Sequence, residues 1–220
     1  KLDTAQADAM AIGNLLSERY HFQVNVLLDV TRGDIIQSLD EYRMKLSEKD
    51  NLLIYFAGHG WVDKGSERGY WLPINAEKDN RTNWLSNADI TDSVKAINAK
   101  RVLVVVDSCY SGTLTRGLER GVRIPTLKSK RFGIMLGLRS RTVLTSGGLE
   151  PVLDGGGNGH SVFANALLLA LKQNNEVIDA TELFYRIRRQ VSLDAEQSPQ
   201  YSNIRLAGHE VGGDFIFLPQ

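Results

Sequence analysis

The hydrophobic pattern of the chain alternates between amphipathic helices and short apolar strands. Apolar residues spaced three and four apart predict helices over residues 4–20 and 161–172, and a third helix that Asp179 and Glu182 begin as a capping pair. Strands that alternate with helices predict an α/β fold with a mostly parallel sheet. The other predicted elements are a helix that Thr31 begins, a helix over Asp89–Ala99, and strands at Gln23–Leu28, Asn51–Ala57, Arg101–Asp107, Thr142–Ser146 and Asp214–Leu218.

The composition excludes several classes of function. The 220 residues include 26 Lys and Arg and 26 Asp and Glu, so the net charge is zero and we expect no nucleic-acid binding through bulk charge. The apolar runs are too short to span a bilayer, so no membrane partner is expected. One cysteine cannot form an internal disulfide or a Cys-rich zinc site, and it favours a reducing compartment, which we take as the cytoplasm.

Two residues with reactive side chains follow the two most apolar strands. His59 comes just after Asn51–Ala57, and Cys109 just after Arg101–Asp107. In parallel sheets ligands bind beyond the carboxyl ends of the strands, and a histidine there can take the proton of a thiol nucleophile. By position alone the non-catalytic alternative is the more common one, since a single Cys at a strand end is usually a small buried apolar residue and a single His is usually a satisfied or surface histidine.

The sequences around these residues resemble a known family. Tyr55–Gly60 (YFAGHG) and Asp107–Gly112 (DSCYSG) are similar to the His and Cys motifs of the caspase-like cysteine peptidases, above all metacaspases and their bacterial relatives, and next the paracaspases. The resemblance covers nearly the whole chain, because residues 158–164 resemble the start of the small-subunit helix and residues 213–217 the last strand. It implies a caspase-like three-layer sandwich, with helices on both faces of a mostly parallel central sheet.

The resemblance also implies a mechanism. Cys109 would attack the scissile carbonyl, His59 would protonate the leaving amine, and the backbone N–H groups of Gly60 and Cys109 would form the oxyanion hole. Gly58 and Gly60 are expected to let the chain turn sharply around His59. No third catalytic side chain is implied.

Acidic residues predict the specificity. Metacaspases and paracaspases have acidic residues in the pocket for the side chain before the cut, and Asp107 stands at one such position. Asp8 matches a second acidic motif only at its Asp, and Glu150 is a candidate third wall. An acidic pocket predicts cleavage after Arg or Lys. The alternatives are that Asp107 caps local backbone, and that Asp8 and Glu150 are solvated.

The domain organisation follows from the same resemblance. Residues 1–220 are read as one peptidase domain, with a large-subunit-like part (1–112), a basic, turn-rich linker (113–140) and a small-subunit-like part (141–220). The family's first strand is expected before residue 1. The linker either is simply basic, or binds an acidic partner, or is cut by the enzyme itself. The candidate processing sites are Arg116, Arg120, Arg123, Lys128, Lys130 and Arg131.

The sequence therefore predicts a cysteine endopeptidase that cleaves proteins or peptides after Arg or Lys. By family analogy it is a regulated module of a larger bacterial signalling or defence protein, controlled by another domain or a partner protein. No metal or other cofactor is expected, because Asp89 and Asp92 are too sparse for a calcium site, although calcium dependence stays open. The alternatives are a non-catalytic interaction module with the same fold and a Cys–His acyl or amide transferase.

Overall fold

The structure is a computed structural model that describes residues 4–108, 128–147 and 158–220. Its helices are α1 (Ala5–Tyr20), α2 (Arg32–Lys45), α3 (Asn87–Ala96), α4 (Lys128–Gly137), α5 (Val162–Lys172) and α6 (Ala180–Asp194). Its strands are β1 (Asn51–Ala57), β2 (His59–Asp63), β3 (Arg68–Leu72), β4 (Leu85–Ser86), β5 (Arg101–Asp107), β6 (Ser140–Thr145), β7 (Ile178–Asp179), β8 (Gln200–Asn203) and β9 (Ile216–Phe217).

The central sheet has the strand order β1-β5-β6-β8. Strands β1, β5 and β6 are parallel, and β8 runs antiparallel to β6 at the far edge. Successive side chains of β5 point to opposite faces, so Leu103 and Val105 join one apolar core while Val102, Val104 and Val106 join the other. The predicted α/β fold with a mostly parallel sheet is confirmed.

Helices cover both faces of this sheet. The first core lies between the sheet and helices α1, α5 and α6, and the second lies between the sheet and helices α2 and α3. Thr31 caps α2, and Asp179 caps α6 by accepting a hydrogen bond from the backbone N–H of Glu182, as predicted. The sheet and the two sets of helices that cover it form a three-layer sandwich, with one apolar core on each side of the sheet.

A small antiparallel sheet, β2-β3-β4, leaves the carboxyl end of β1. Sequence analysis predicted only one possible arm of it, near Tyr70. It also missed β8, and it predicted a longer final strand than β9, which pairs with β7 outside the central sheet. The linker was predicted to be turn-rich throughout, but its later part forms α4, whose Met135 is buried. The periodicity of α4 is masked in the sequence by the glycines and basic residues around it.

The predicted strand Gln23–Leu28 is not part of any sheet. Val24 and Val26 both contact α1 at Gly13, which is the two-residue spacing of a strand, but within the described residues no strand pairs with this segment. A groove of about 1280 Å³ lies between this segment, α1 and the free edge of β1. The prediction was therefore wrong because a strand needs a hydrogen-bonded neighbour as well as a suitable sequence.

Candidate active site

His59 and the end of β5 meet at the carboxyl edge of the central sheet. In the parallel register of β1 and β5, Ala57 lies opposite Asp107, and the backbone N–H of Gly58 donates to the carbonyl of Asp107 (3.2 Å). His59 follows as the first residue of β2, where it pairs with Leu72 and its side chain is exposed. The ladder thus fixes the backbone of His59 two residues beyond β1, beside the end of β5.

Gly58 is required by crowding and not by a left-handed backbone. Gly58 is absent from the positions with positive φ, so the sharp turn expected from its freedom is not what the fold uses. A Cβ atom on Gly58 would lie 2.6 Å from the ring of Phe56, and that ring is stacked on Trp71 with 4.3 Å between centroids. The stacked pair leaves no room for a side chain immediately before His59.

Asp107 faces the helices of the first core. It lies two residues beyond Val105, so strand alternation turns it to the same face, where only 5% of it is exposed. The hydroxyl of Ser161 donates to its Oδ2 (2.5 Å) and accepts the backbone N–H of Ala164 at the start of α5 (2.9 Å). The N-cap of α5 therefore holds Asp107 in place.

Asp8 is buried at the same point of the fold. It lies in the first turn of α1 and is 1% exposed. Its Oδ1 lies 2.6 Å from Nδ1 of His160, and its Oδ2 accepts the backbone N–H of Ser161 (3.3 Å). The solvated alternative for Asp8 is wrong, because the N-terminus of α5 binds this carboxylate and the helix dipole favours negative charge there.

Tyr55 completes the wall of this cluster. Tyr55 is one of the residues that line the groove beside β1, and its hydroxyl oxygen is buried. Burial, together with the negative charges of Asp107 and Asp8, raises the pKa of Tyr55 well above its ordinary value. Four segments far apart in sequence thus form one anionic cluster, which we call the acidic pocket: Asp8, Tyr55, Asp107, His160 and Ser161.

The other predicted substrate-binding and processing residues, and Cys109, are not among the residues that the structure places in the acidic pocket. Cys109, Glu150, Arg116, Arg120 and Arg123 lie outside the described residues. Lys128 and Lys130 begin α4. Arg131 lies within α4, and its guanidinium forms an ion pair with the buried carboxylate of Asp179. An ion-paired residue within a helix is a poor protease site, since cleavage requires an extended segment.

Sequence reasoning gave no site role to Tyr55, His160 or Ser161. Ser161 was recognisable as an N-cap, and its place before an apolar helix at the carboxyl edge was the available signal. His160 carried no such signal, because its partner Asp8 is 152 positions away. Among the described residues no group of three or more His, Cys, Asp or Glu side chains could hold a metal ion, and no helix has the length and apolarity to cross a membrane.

The comparisons with known proteins agree with this architecture. The family model of the caspase domain matches residues 1–208. The chain belongs to the caspase family. No curated protein matches it.

Two solved structures share the caspase fold of the chain. Caspase-1 from Spodoptera frugiperda is 16% identical, with a TM-score of 0.67 over 98% of this chain and 83% of that one. Protein GSU0716 from Geobacter sulfurreducens is 19% identical, with a TM-score of 0.64 over 91% of this chain and 84% of that one. At these identities the likeness extends to the fold alone.

Proposed function

We propose that this caspase-family protein is a cysteine endopeptidase, of the metacaspase or paracaspase type, that cleaves after Arg or Lys. The observation that carries the proposal is the acidic pocket beside His59. Asp8 and Asp107 are both buried, and they lie on one face at the carboxyl end of the sheet. A guanidinium or ammonium group can form ion pairs with such carboxylates, whereas the carboxylate of an Asp substrate would be repelled.

The proposed chemistry uses a dyad. The Sγ thiolate of Cys109 attacks the scissile carbonyl carbon, and the oxyanion is bound by the backbone N–H groups of Gly60 and Cys109. The C–N bond then breaks as His59 gives its proton to the leaving amine. Water hydrolyses the thioester that remains and restores the thiol. The ladder between β1 and β5 supports this proposal because it holds His59 beside the chain that leads into Cys109.

The test uses fluorogenic peptides that end in Arg, Lys or Asp, with and without calcium. We expect hydrolysis after Arg and Lys, complete loss in Cys109→Ala, and loss in Asp107→Asn of about 30-fold or more in kcat/KM, equal to about 2 kcal/mol or more. Asp50→Asn is the control, since Asp50 is a partly exposed carboxylate that accepts the backbone N–H of Ser47 away from the acidic pocket. Cleavage after Asp would overturn the specificity but keep the dyad.

The rival functions give different results in the same assay. A non-catalytic interaction module hydrolyses none of the peptides, and Cys109 then fails to react with an Arg-based electrophile. An acyl or amide transferase joins added amines to the peptide in place of plain hydrolysis.

We propose further that the groove beside β1 takes a strand of the same polypeptide that leads into α1. Gln6 at the start of α1 bonds to Asp29, so the chain enters α1 at the carboxyl edge, where a strand parallel to β1 would end. Such a strand would pair with both β1 and Gln23–Leu28, and α1 would be the crossover helix between them. By family analogy alone, we propose that the peptidase is a regulated module of a larger bacterial signalling or defence protein.

Two apolar residues of similar type distinguish a filled groove from an open one. Val26 lines the groove and is 40% exposed, while Met44 on α2 lies outside it and is 80% exposed. In the full-length protein, Val26→Lys should lower the free energy of unfolding by about 2 kcal/mol or more, because a filled groove buries the new charge. Met44→Lys should cost less than about 0.5 kcal/mol. Equal small losses in urea unfolding would show that the groove stays open.

Self-processing in the linker is proposed at Arg116, Arg120 or Arg123, and not at Arg131, which is ion-paired within α4. Intact-mass analysis of an active sample should find new N-termini at 117, 121 or 124, and none in Cys109→Ala. An uncut chain in an active sample would contradict it.

A further inference from the structure

The acidic pocket holds a histidine against one of its buried carboxylates. An isolated buried carboxylate is costly, and Asp8 is 1% exposed. In the part of the chain that the structure describes, the titratable group bonded to Asp8 is His160, whose Nδ1 lies 2.6 Å from the carboxylate. Protonated His160 therefore forms a salt bridge that compensates the charge of Asp8.

The position of His160 lets it move away from Asp8. Its side chain is 21% exposed, so it lies between the buried carboxylate and solvent. It follows a turn in which Asn158 and Gly159 both have positive φ, of 57° and 76°, and it precedes the N-cap Ser161. Ser161 is tied to Asp107 and to α5, while His160 is tied through its side chain to Asp8. A rotation of the imidazole alone would therefore free Asp8 without disturbing Ser161.

We propose that His160 is the resident counter-ion of the acidic pocket, and that the cationic side chain of a substrate displaces it from Asp8. This inference rests on the proposed function for the identity of the ligand, which is an Arg or Lys side chain. One cation replaces another on the same carboxylate, so Asp8 is never left as an uncompensated buried charge. His160 is thus a specificity-determining residue, because a neutral or anionic side chain cannot take its place on Asp8.

The exchange of His160 for a substrate cation predicts that KM depends on pH. The groups that face His160 in the described chain are Asp8 from α1 and, through Ser161, Asp107 at the end of β5, with Tyr55 of β1 neutral beside them. Protonation of His160 strengthens its hold on Asp8 and so weakens substrate binding. KM for an Arg peptide should therefore be higher at acidic pH, where an imidazole carries its proton, than at neutral pH.

The kinetic test compares His160→Gln with the native protein across this range. Gln keeps a hydrogen-bond donor for Asp8 but carries no charge. In His160→Gln we expect KM to lose the pH dependence that His160 causes, and to be lower than the native KM at acidic pH. We expect kcat to change much less. His21→Gln is the control, since His21 is an exposed histidine at the end of α1, and its profile should match the native one. A native KM profile in His160→Gln would overturn the proposal.

A binding test separates this inference from the proposed activity. In Cys109→Ala, NMR follows the protonation of His160 while agmatine, a guanidinium probe, is added. Agmatine should release His160 from Asp8 and so shift the imidazole resonances of His160, and Asp8→Asn should abolish that effect. A neutral urea analogue of the same length should have none. If the protein cleaves no peptide but agmatine still displaces His160, the counter-ion role stands and the peptidase proposal fails. If agmatine leaves His160 unchanged, the counter-ion role fails.

Discussion

Strands β1 and β5 have the same length and nearly the same apolar character, yet the structure buries them to different degrees. All seven residues of β5 are buried, whereas in β1 only Leu52 is. The cause is topology, because β5 lies between β1 and β6, while β1 has a strand on one side and a groove on the other. An apolar run thus indicates that a strand must be buried by neighbouring segments, but it does not reveal which segments bury it.

This difference extends to the candidate active site. β5 leads to Asp107, which Ser161 and α5 hold in place, and β1 leads to His59, which is exposed. We therefore expect the acidic pocket to be the rigid half of the site and the His59 side to be the half that responds to whatever fills the groove.

The sharpest test of the comparison uses two leucines at one register position. Leu53 of β1 lies opposite Leu103 of β5, and both contribute to the same core. Leu103→Ala should lower the free energy of unfolding by about 2–5 kcal/mol, since it leaves a cavity at a fully buried site. Leu53→Ala should cost less than half as much in the chain with an open groove.

Chemical denaturation of both variants in the full-length protein completes the test. A strand in the groove should raise the cost of Leu53→Ala towards that of Leu103→Ala. Equal costs with the groove open would show that the two strands are equally covered.

The next largest effect is expected at the glycine that joins β1 to His59. Gly58→Ala should cost about 1–3 kcal/mol, because its Cβ would meet the Phe56 ring at 2.6 Å. Gly133→Ala in α4 is the matched control, since nothing lies within 4 Å of its added Cβ, and it should stabilise the protein by up to about 1 kcal/mol. Thermal unfolding of both measures the difference. Equal effects would mean that the stacked Phe56–Trp71 pair shifts without cost.

The smallest expected effect tests whether water reaches the buried hydroxyl of Tyr55 in β1. Burial and the charges of Asp107 and Asp8 raise the pKa of Tyr55 well above its ordinary value. Tyr55 therefore stays protonated where exposed tyrosines ionise, and Tyr55→Phe should remove no ionisation step near pH 10 from the absorbance titration. Loss of a step there would show that water from the groove reaches the hydroxyl.

Much of the fold could be predicted because its signals are local. The bounds of β1 and β5 and the caps Thr31 and Asp179 follow from apolar runs and capping chemistry within a few residues. Errors arose where structure depends on a distant partner. Gln23–Leu28 has a strand's spacing but no paired neighbour, and β8 gained its strand structure by pairing with β6.

The sequence by itself determined where the candidate catalytic residues lie along the chain, since Gly58 before His59 and Ser108 before Cys109 directly follow strands that their own apolar runs define. Only the tertiary structure decided what surrounds it. Asp8 meets His160 across 152 positions and Asp107 meets Ser161 across 54, because α1 and α5 begin at the same edge of the sheet. Such pairings depend on the packing of whole helices against a sheet, and no local pattern of residues specifies them.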